Sequence, residues 1–285
     1  LGVGASTKAT YVDDVFSTEA WIGAGSPKTI TNGIDFAGKG GMVWTKSRSD
    51  GNYNHVLSDT VRGGLKALFS NTNGAEDVSG SGTNYVGSFN NNGVQLGTWG
   101  IVGGHSVASG KEFATWSFRK APGFFDVVTW TGDGSSNRQI SHSLSSIPGL
   151  IIVKKTSETD NWNVYHRSAH ATSPENYRVF LNTTAAAGAN DSAWNQTKPT
   201  SSNFTVGIND QVNGNGKSYV AYVFAGGKSD AATARSVDFD GVGNWDRRLG
   251  IADSSDFTVG TNFTAECWYN CRSTPNTNTH HIMGQ

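Results

Sequence analysis

The sequence predicts an all-β protein: two tandem antiparallel β-sandwich repeats, jelly-roll-like, followed by the first strands of a third β-domain. Three observations carry this. The 285-residue chain holds 36 Gly, is 11% aromatic and only 16% charged. With its abundant Asn, Ser and Thr, that is the profile of short strands joined by many turns. Its apolar residues fall in short, often alternating runs, with no sustained helical period. Finally, six blocks recur in the same order at a displacement of about 105–110 residues, the size of one small β-domain rather than a solenoid rung.

Taken in order, residues 1–17 read as an N-terminal connector, 18–121 as the first repeat and 122–228 as the second. Trp21-Ile22-Gly23-Ala24-Gly25-Ser26 returns as Trp130-Thr131-Gly132-Asp133-Gly134-Ser135. Gly41–Lys46 aligns with Leu150–Lys155, and Asn52-Tyr53-Asn54 with Asn161-Trp162-Asn163. Ala67–Thr72 matches Arg178–Thr183, and Val94–Gly97 matches Phe204–Gly207. Gly110–Phe118 matches Gly216–Phe224, a strand apolar on both faces that suits a sandwich interior. Leu150-Ile151-Ile152-Val153, bounded by Pro148-Gly149 and two lysines, reads as a buried strand. Ser79–Asn84 and Asn90–Gly93 read as turns, and Ala185–Ala189 is too short for a stable helix. Arg119–Gly123 is too short a joint for free swinging. Residues 229–285 read as a looser linker and an incomplete further domain, with strands around Ser236–Asp240 and Phe263–Tyr269. Leu1 is not an initiator Met and strand-like sequence runs almost to the end, so the chain is expected to be a piece of a longer one.

Composition also excludes function classes. A formal net charge of −1 gives no electrostatic case for nucleic acid. No apolar run approaches the ~18 residues of a membrane-spanning helix. Two cysteines, Cys267 and Cys271, are too few for a disulfide scaffold. On one extended strand they would stand roughly 13 Å apart, so a bridge would need a bend. Gly33 through Gly38-Lys39 has phosphate-loop spacing, but Gly40 stands where Ser or Thr must hold Mg²⁺. Gly216-Lys217-Ser218 lacks the leading Gly, and Gly104-His105-Ser106-Val107-Ala108 lacks the closing Gly of a nucleophile elbow. His166 and His170 have the spacing of a helical zinc pair, without a helix or a third ligand. The acidic pairs Asp13-Asp14 and Asp238/Asp240 are the candidates for calcium, and no spacing motif supports them. The expectation is therefore no catalytic residue, no metal site and no cofactor.

Two stretches carry a resemblance. Val12-Asp13-Asp14-Val15-Phe16-Ser17-Thr18 leads into the first Trp-x-Gly block, and Phe118–Val128 joins the two copies. Both resemble the tandem β-rich repeats of marine bacteriophage structural proteins, often cyanophage tail-fibre-like proteins. Ser236–Asp240, Asp253–Phe257 and Phe263–Trp268 are similar to the start of a concanavalin A/laminin G-like jelly roll. The resemblance implies a non-enzymatic virion protein at the particle surface, a tail-fibre module that presents or contributes to host attachment. It further implies a homo-oligomer, a trimer if a fibre, with other virion proteins and a host surface polysaccharide as partners. The alternatives are a capsid decoration or head fibre, and carbohydrate-binding modules of a larger secreted polysaccharide-active enzyme.

Aromatics supply the remaining site candidates, since a flat ring covers the C–H face of a sugar. Trp44, Trp116 and Tyr222 sit inside strand patterns and are expected in the core. Trp99 and Trp194 lie in Gly/Asn-rich stretches and are the expected exposed ligand contacts.

Overall fold

The computed structural model describes residues 10–78, 84–190 and 192–227. The residues read as a third β-domain, both cysteines and Asp238/Asp240 lie outside that set. The first copy contains β1 (Phe16–Ile22), β2 (Thr29–Thr31), β3 (Gly41–Ser47), β4 (Val56–Asp59), β5 (Lys66–Phe69), β6 (Asp77–Val78), β7 (Val86–Asn90), β8 (Gly93–Leu96) and β9 (Glu112–Arg119). The second contains β10 (Phe125–Thr131), β11 (Arg138–Ser141), β12 (Pro148–Lys155), β13 (Asn163–His166), β14 (Tyr177–Phe180), β15 (Gly188–Ala189), β16 (Asn203–Val206) and β17 (Ser218–Ala225). The α-helices described, α1 (Val12–Val15), α2 (Phe36–Lys39) and α3 (Asp210–Asn213), are single turns.

The repeat is visible in the topology. One six-stranded sheet runs β1-β9-β3-β4-β5-β6 and the other β10-β17-β12-β13-β14-β15, the same order strand for strand. Every named pair is antiparallel. A smaller sheet covers one face of each: β2-β8-β7 in the first copy, β11-β16 in the second. The first core joins Trp21, Val43 and Phe113 to Ile30, Val94 and Leu96. The second joins Trp130, Ile151, Val153 and Tyr219 to Ile140, Phe204 and Val206. Trp21 stacks on Phe113 at 4.6 Å between centroids, and Trp130 stacks on Tyr219 at 5.3 Å.

The repeated Trp-x-Gly has a packing cause. Gly23 N–H donates to Lys111 O (2.8 Å) and Gly132 N–H to Lys217 O (2.7 Å), docking each strand end on the Gly-Lys turn before β9 or β17. A Cβ at Gly23 would stand 2.3 Å from Ala108 O, and one at Gly132 2.2 Å from Gly214 O. Only glycine lets those backbones approach.

The other faces of the two large sheets meet each other. Met42, Trp44, Leu57, Leu68 and Phe118 pack with Leu150, Ile152, Val164, Val179 and Phe224 in one apolar cluster. Register shows these to be equivalent positions. Met42 pairs with Phe118 and Leu150 with Phe224; Leu57 pairs with Trp44 and Val164 with Ile152. Each copy thus offers its equivalent face, as subunits do in an isologous dimer. The described residues form four layers: small sheet, large sheet, large sheet, small sheet.

Three expectations change here. Tyr222 is fully buried, but Trp44 and Trp116 are only half-buried, edge-on to each other at 6.2 Å. On β9 the residues buried in the copy's own core are Phe113, Thr115 and Ser117, not the more aromatic Trp116/Phe118 face. Two repeat blocks also shift register. Trp44 is equivalent to Ile152, not Val153, and Asn54 to Asn161. Asn71 Nδ2 donates to Asn54 Oδ1 and Asn182 Nδ2 to Asn161 Oδ1, both at 2.8 Å.

Candidate functional site: the seam between the copies

The face that the second copy turns toward the first changes character along its strands. Val127, Tyr222 and Ile152 are apolar and buried. One step on, Thr129, Val220 and Lys154 lie side by side. At the end, Thr131 pairs with Ser218, and Thr156 N–H donates to Ser218 O (2.8 Å). Thr129, Thr131 and Ser218 are exposed. Here a groove of about 550 Å³ opens between the copies, lined by those hydroxyls and by Thr156 and Ser157. Its opposite wall is Val61, Arg62, Lys66 and Glu76 of the first copy. Backbone bonds brace it: Glu76 N–H donates to Thr156 O and Asp160 N–H to Asn73 O, both at 2.8 Å.

Behind the wall sits a buried charge cluster. Arg62 Nε donates to Asp59 Oδ2 (2.6 Å) and Nη1 to Glu76 Oε2 (3.0 Å). Nη2 donates to Leu57 O (3.2 Å) and to the Tyr222 hydroxyl (2.8 Å), which itself donates to Asp59 Oδ2 (3.0 Å). The Arg62 side chain is 4% exposed and that of Asp59 0%. Burial alone would lower the Arg62 pKa, but Tyr222, Asp59 and Glu76 outweigh it and hold the guanidinium above its ordinary value. Burial raises the Tyr222 phenol well above 10, and Asp59 adds to that. Lys66 Nζ closes the set at 3.0 Å from Glu76 Oε1. Trp162 crosses the same interface, its Nε1–H shared by Phe69 O and Thr72 O, each at 3.0 Å.

A lysine on each copy ends in backbone carbonyls. Lys46 Nζ donates to Asp50 O and Tyr53 O; Lys154 Nζ donates to Lys155 O and Glu158 O. Burial pushes the Lys154 ammonium down to about 8; Asp160 opposes the shift and Lys155 adds to it. Neighbouring Lys155 is held by Asp160 (2.9 Å) and Asp210, whose attraction outweighs burial and raises its pKa.

The sequence-nominated residues are not brought together. Trp99 is 37% exposed, but its ring stacks on Tyr85 at 5.6 Å. Trp194 corrects the expectation of exposure. It is 2% exposed in the second copy's core, edge-on to Tyr165 at 6.0 Å, with Nε1–H donating to Tyr177 O (3.0 Å). A Gly/Asn-rich stretch marked it as surface, yet that loop folds over the core. His166 Nδ1 accepts a backbone N–H bond from Ser168 in the intervening turn, and His170 Nδ1 accepts one from Ser173 beyond it. The Gly33–Lys39 segment holds a single helical turn capped by Asp35. His105 Nδ1 likewise accepts from Val107 N–H. Among the described residues no group of three or more His, Cys, Asp or Glu could hold a metal, and no helix is long and apolar enough to cross a membrane. The seam residues were missed because no motif joins them. The one signal was Val127-x-Thr129-x-Thr131, an alternation whose inward positions turn from apolar to hydroxyl.

Fold and seam together define a class: a fused pair of β-sandwiches joined through equivalent faces, with a polar groove at the junction. Residues 12–246 match the family described as a domain of unknown function, DUF7483. The chain belongs to that family. No curated protein and no solved structure matches it. The match runs through both copies.

Proposed function

We propose that the chain is a non-enzymatic structural module of a virion appendage, a tail fibre in the first instance, that presents or contributes to attachment at a host surface. The observation that carries this reading is the face-to-face joining of the two copies. An apolar interface, the Arg62–Asp59–Tyr222 cluster and two backbone bridges fix one copy on the other. Such a unit transmits position and load, where a flexible tether would not. The resemblance of the Val12–Thr18 and Phe118–Val128 stretches to phage structural repeats supports the same reading. Attachment through many copies would multiply weak contacts, with a homo-oligomer, a trimer in a fibre, as the working form.

Immunogold electron microscopy of the source particles, with antibody raised against this chain, tests the proposal. Label on projecting tail fibres is the expected result. Label over the head would replace it with a capsid decoration or head fibre. Label on no particle would overturn the virion reading in favour of carbohydrate-binding modules of a secreted enzyme.

A further inference from the structure

We propose that the groove at the seam is a binding site for a neutral oligosaccharide. The inference rests on the attachment half of the function above, and it names a site and a ligand class for it.

The hydroxyl row is not demanded by the fold. In the first copy the equivalent positions are Ile22, Glu112 and Arg48: Ile22 pairs with Glu112 as Thr131 pairs with Ser218, and Arg48 N–H donates to Glu112 O as Thr156 N–H donates to Ser218 O. That row closes with an ion pair, Arg48 to Glu112 at 3.8 Å. The second copy supports the same backbone with three hydroxyls instead.

Charge decides the ligand class. Arg62 and Lys66 are matched by Asp59 and Glu76, each cation in contact with a carboxylate. A sulfated or uronic chain would gain no net attraction and would have to displace these pairs. A neutral ligand made of hydroxyl groups needs partners that both donate and accept, which Ser and Thr supply. Ser157 Oγ already accepts from Ser218 N–H (3.2 Å), leaving its own proton to donate. Glu76 accepts one bond at each oxygen, from Arg62 and Lys66, and keeps acceptor capacity at both. Val61, 45% exposed, gives the rim an apolar contact for a sugar C–H face.

The site is preformed. Thr129, Thr131 and Ser218 stand on paired strands, and threonine is stiff at χ1. The volume, about 550 Å³, lies in the ~300–1,000 Å³ range of small-molecule sites.

The test is calorimetric titration of the full chain with neutral hexasaccharides (gluco-, manno- and galacto-configured) and with acidic ones (an alginate and a heparin hexamer). The comparison is a Thr131→Val/Ser218→Ala double variant, both positions exposed, whose thermal midpoint is checked first. Expected is saturable binding of at least one neutral hexamer, weakened tenfold or more in the double variant at an unchanged midpoint. No neutral hexamer binding, equal binding by the variant, or tighter binding of an acidic hexamer would overturn the proposal. Particle labelling is indifferent to this result, so the two proposals fail separately.

Discussion

Tyr222→Phe separates a fused double sandwich from two adjacent ones. The substitution keeps the ring, which stacks with Phe125 and Trp162 of its own copy. It removes only the hydroxyl that bonds Arg62 at 2.8 Å and Asp59 at 3.0 Å. A hydrogen bond to a charged partner is worth about 1.5–3 kcal/mol, and a buried donor left short costs on the same scale. Arg62 and Asp59 still bond each other at 2.6 Å, so the expected loss is about 2–3 kcal/mol rather than twice the single-bond value. At about 2–4 °C per kcal/mol for a unit of this size, the midpoint should fall by about 4–12 °C. Scanning calorimetry measures this, with Tyr11→Phe, at an exposed position, as the unshifted control. Hydrogen exchange supplies the decisive reading. Tyr222 lies on β17 of the second copy and Asp59 on β4 of the first, so amides of both strands should lose protection together. A shift below about 0.5 kcal/mol, or loosening of β17 while β4 stays protected, would refute the account of the seam.

Other perturbations test the remaining argument. Gly132→Ala places a methyl 2.2 Å from Gly214 O, forces backbone to move, and should cost about 1–3 kcal/mol in urea unfolding. Trp194→Ala should cost about 3–5 kcal/mol by the same assay, whereas Trp99→Ala should cost only about 1 kcal/mol, the worth of its stack. Stability should rise between pH 8 and 10: folded Lys154 loses its proton near 8 and the unfolded chain only near 10.5, so the unfolded state holds more protons there. Above 10 the sign reverses, because Tyr85, Tyr165, Tyr219 and Tyr222 have raised pKa values and ionise more readily unfolded. Lys154→Met should abolish the rise and keep the fall, read from denaturant midpoints across pH. On the acid side stability should decline below about pH 6.5, where burial disfavours protonation of His142 and His55.

Strands and repeat were legible because local chemistry carries them. Gly110–Phe118 and Gly216–Phe224 alternate as strands, and β9 and β17 occupy them. The Trp-x-Gly block was legible because a backbone contact forbids a side chain at Gly23 and Gly132. What stayed hidden was which copy each face serves. Aligning Gly41–Lys46 with Leu150–Lys155 without a slip pairs Val43 with Ile152. Yet Val43 lies in its own sandwich core and Ile152 at the seam. One residue of register exchanges the faces of a strand, and a run such as Leu150–Val153, apolar on both, gives the eye no correction. Lys154 provides one after the fact. Its equivalence to Lys46, each amine on the carbonyl of the residue four further on, fixes the slip.

The same ambiguity explains the missed groove. It belongs to neither copy. Arg62 and Glu76 stand across from Thr131 and Ser218, more than fifty positions away in sequence, and each half alone reads as a solvated strand end or turn. Fusion of two copies through equivalent faces makes the open end of the seam a place where the halves can diverge without disturbing either core. The divergence is seen there: Ile22, Glu112 and Arg48 on one copy against Thr131, Ser218 and Thr156 on the other. A duplicated fold that needed only stiffness could keep the same row in both copies. Replacing an ion pair and an isoleucine with three hydroxyls at the open end of the interface is the change expected where a polar ligand is met.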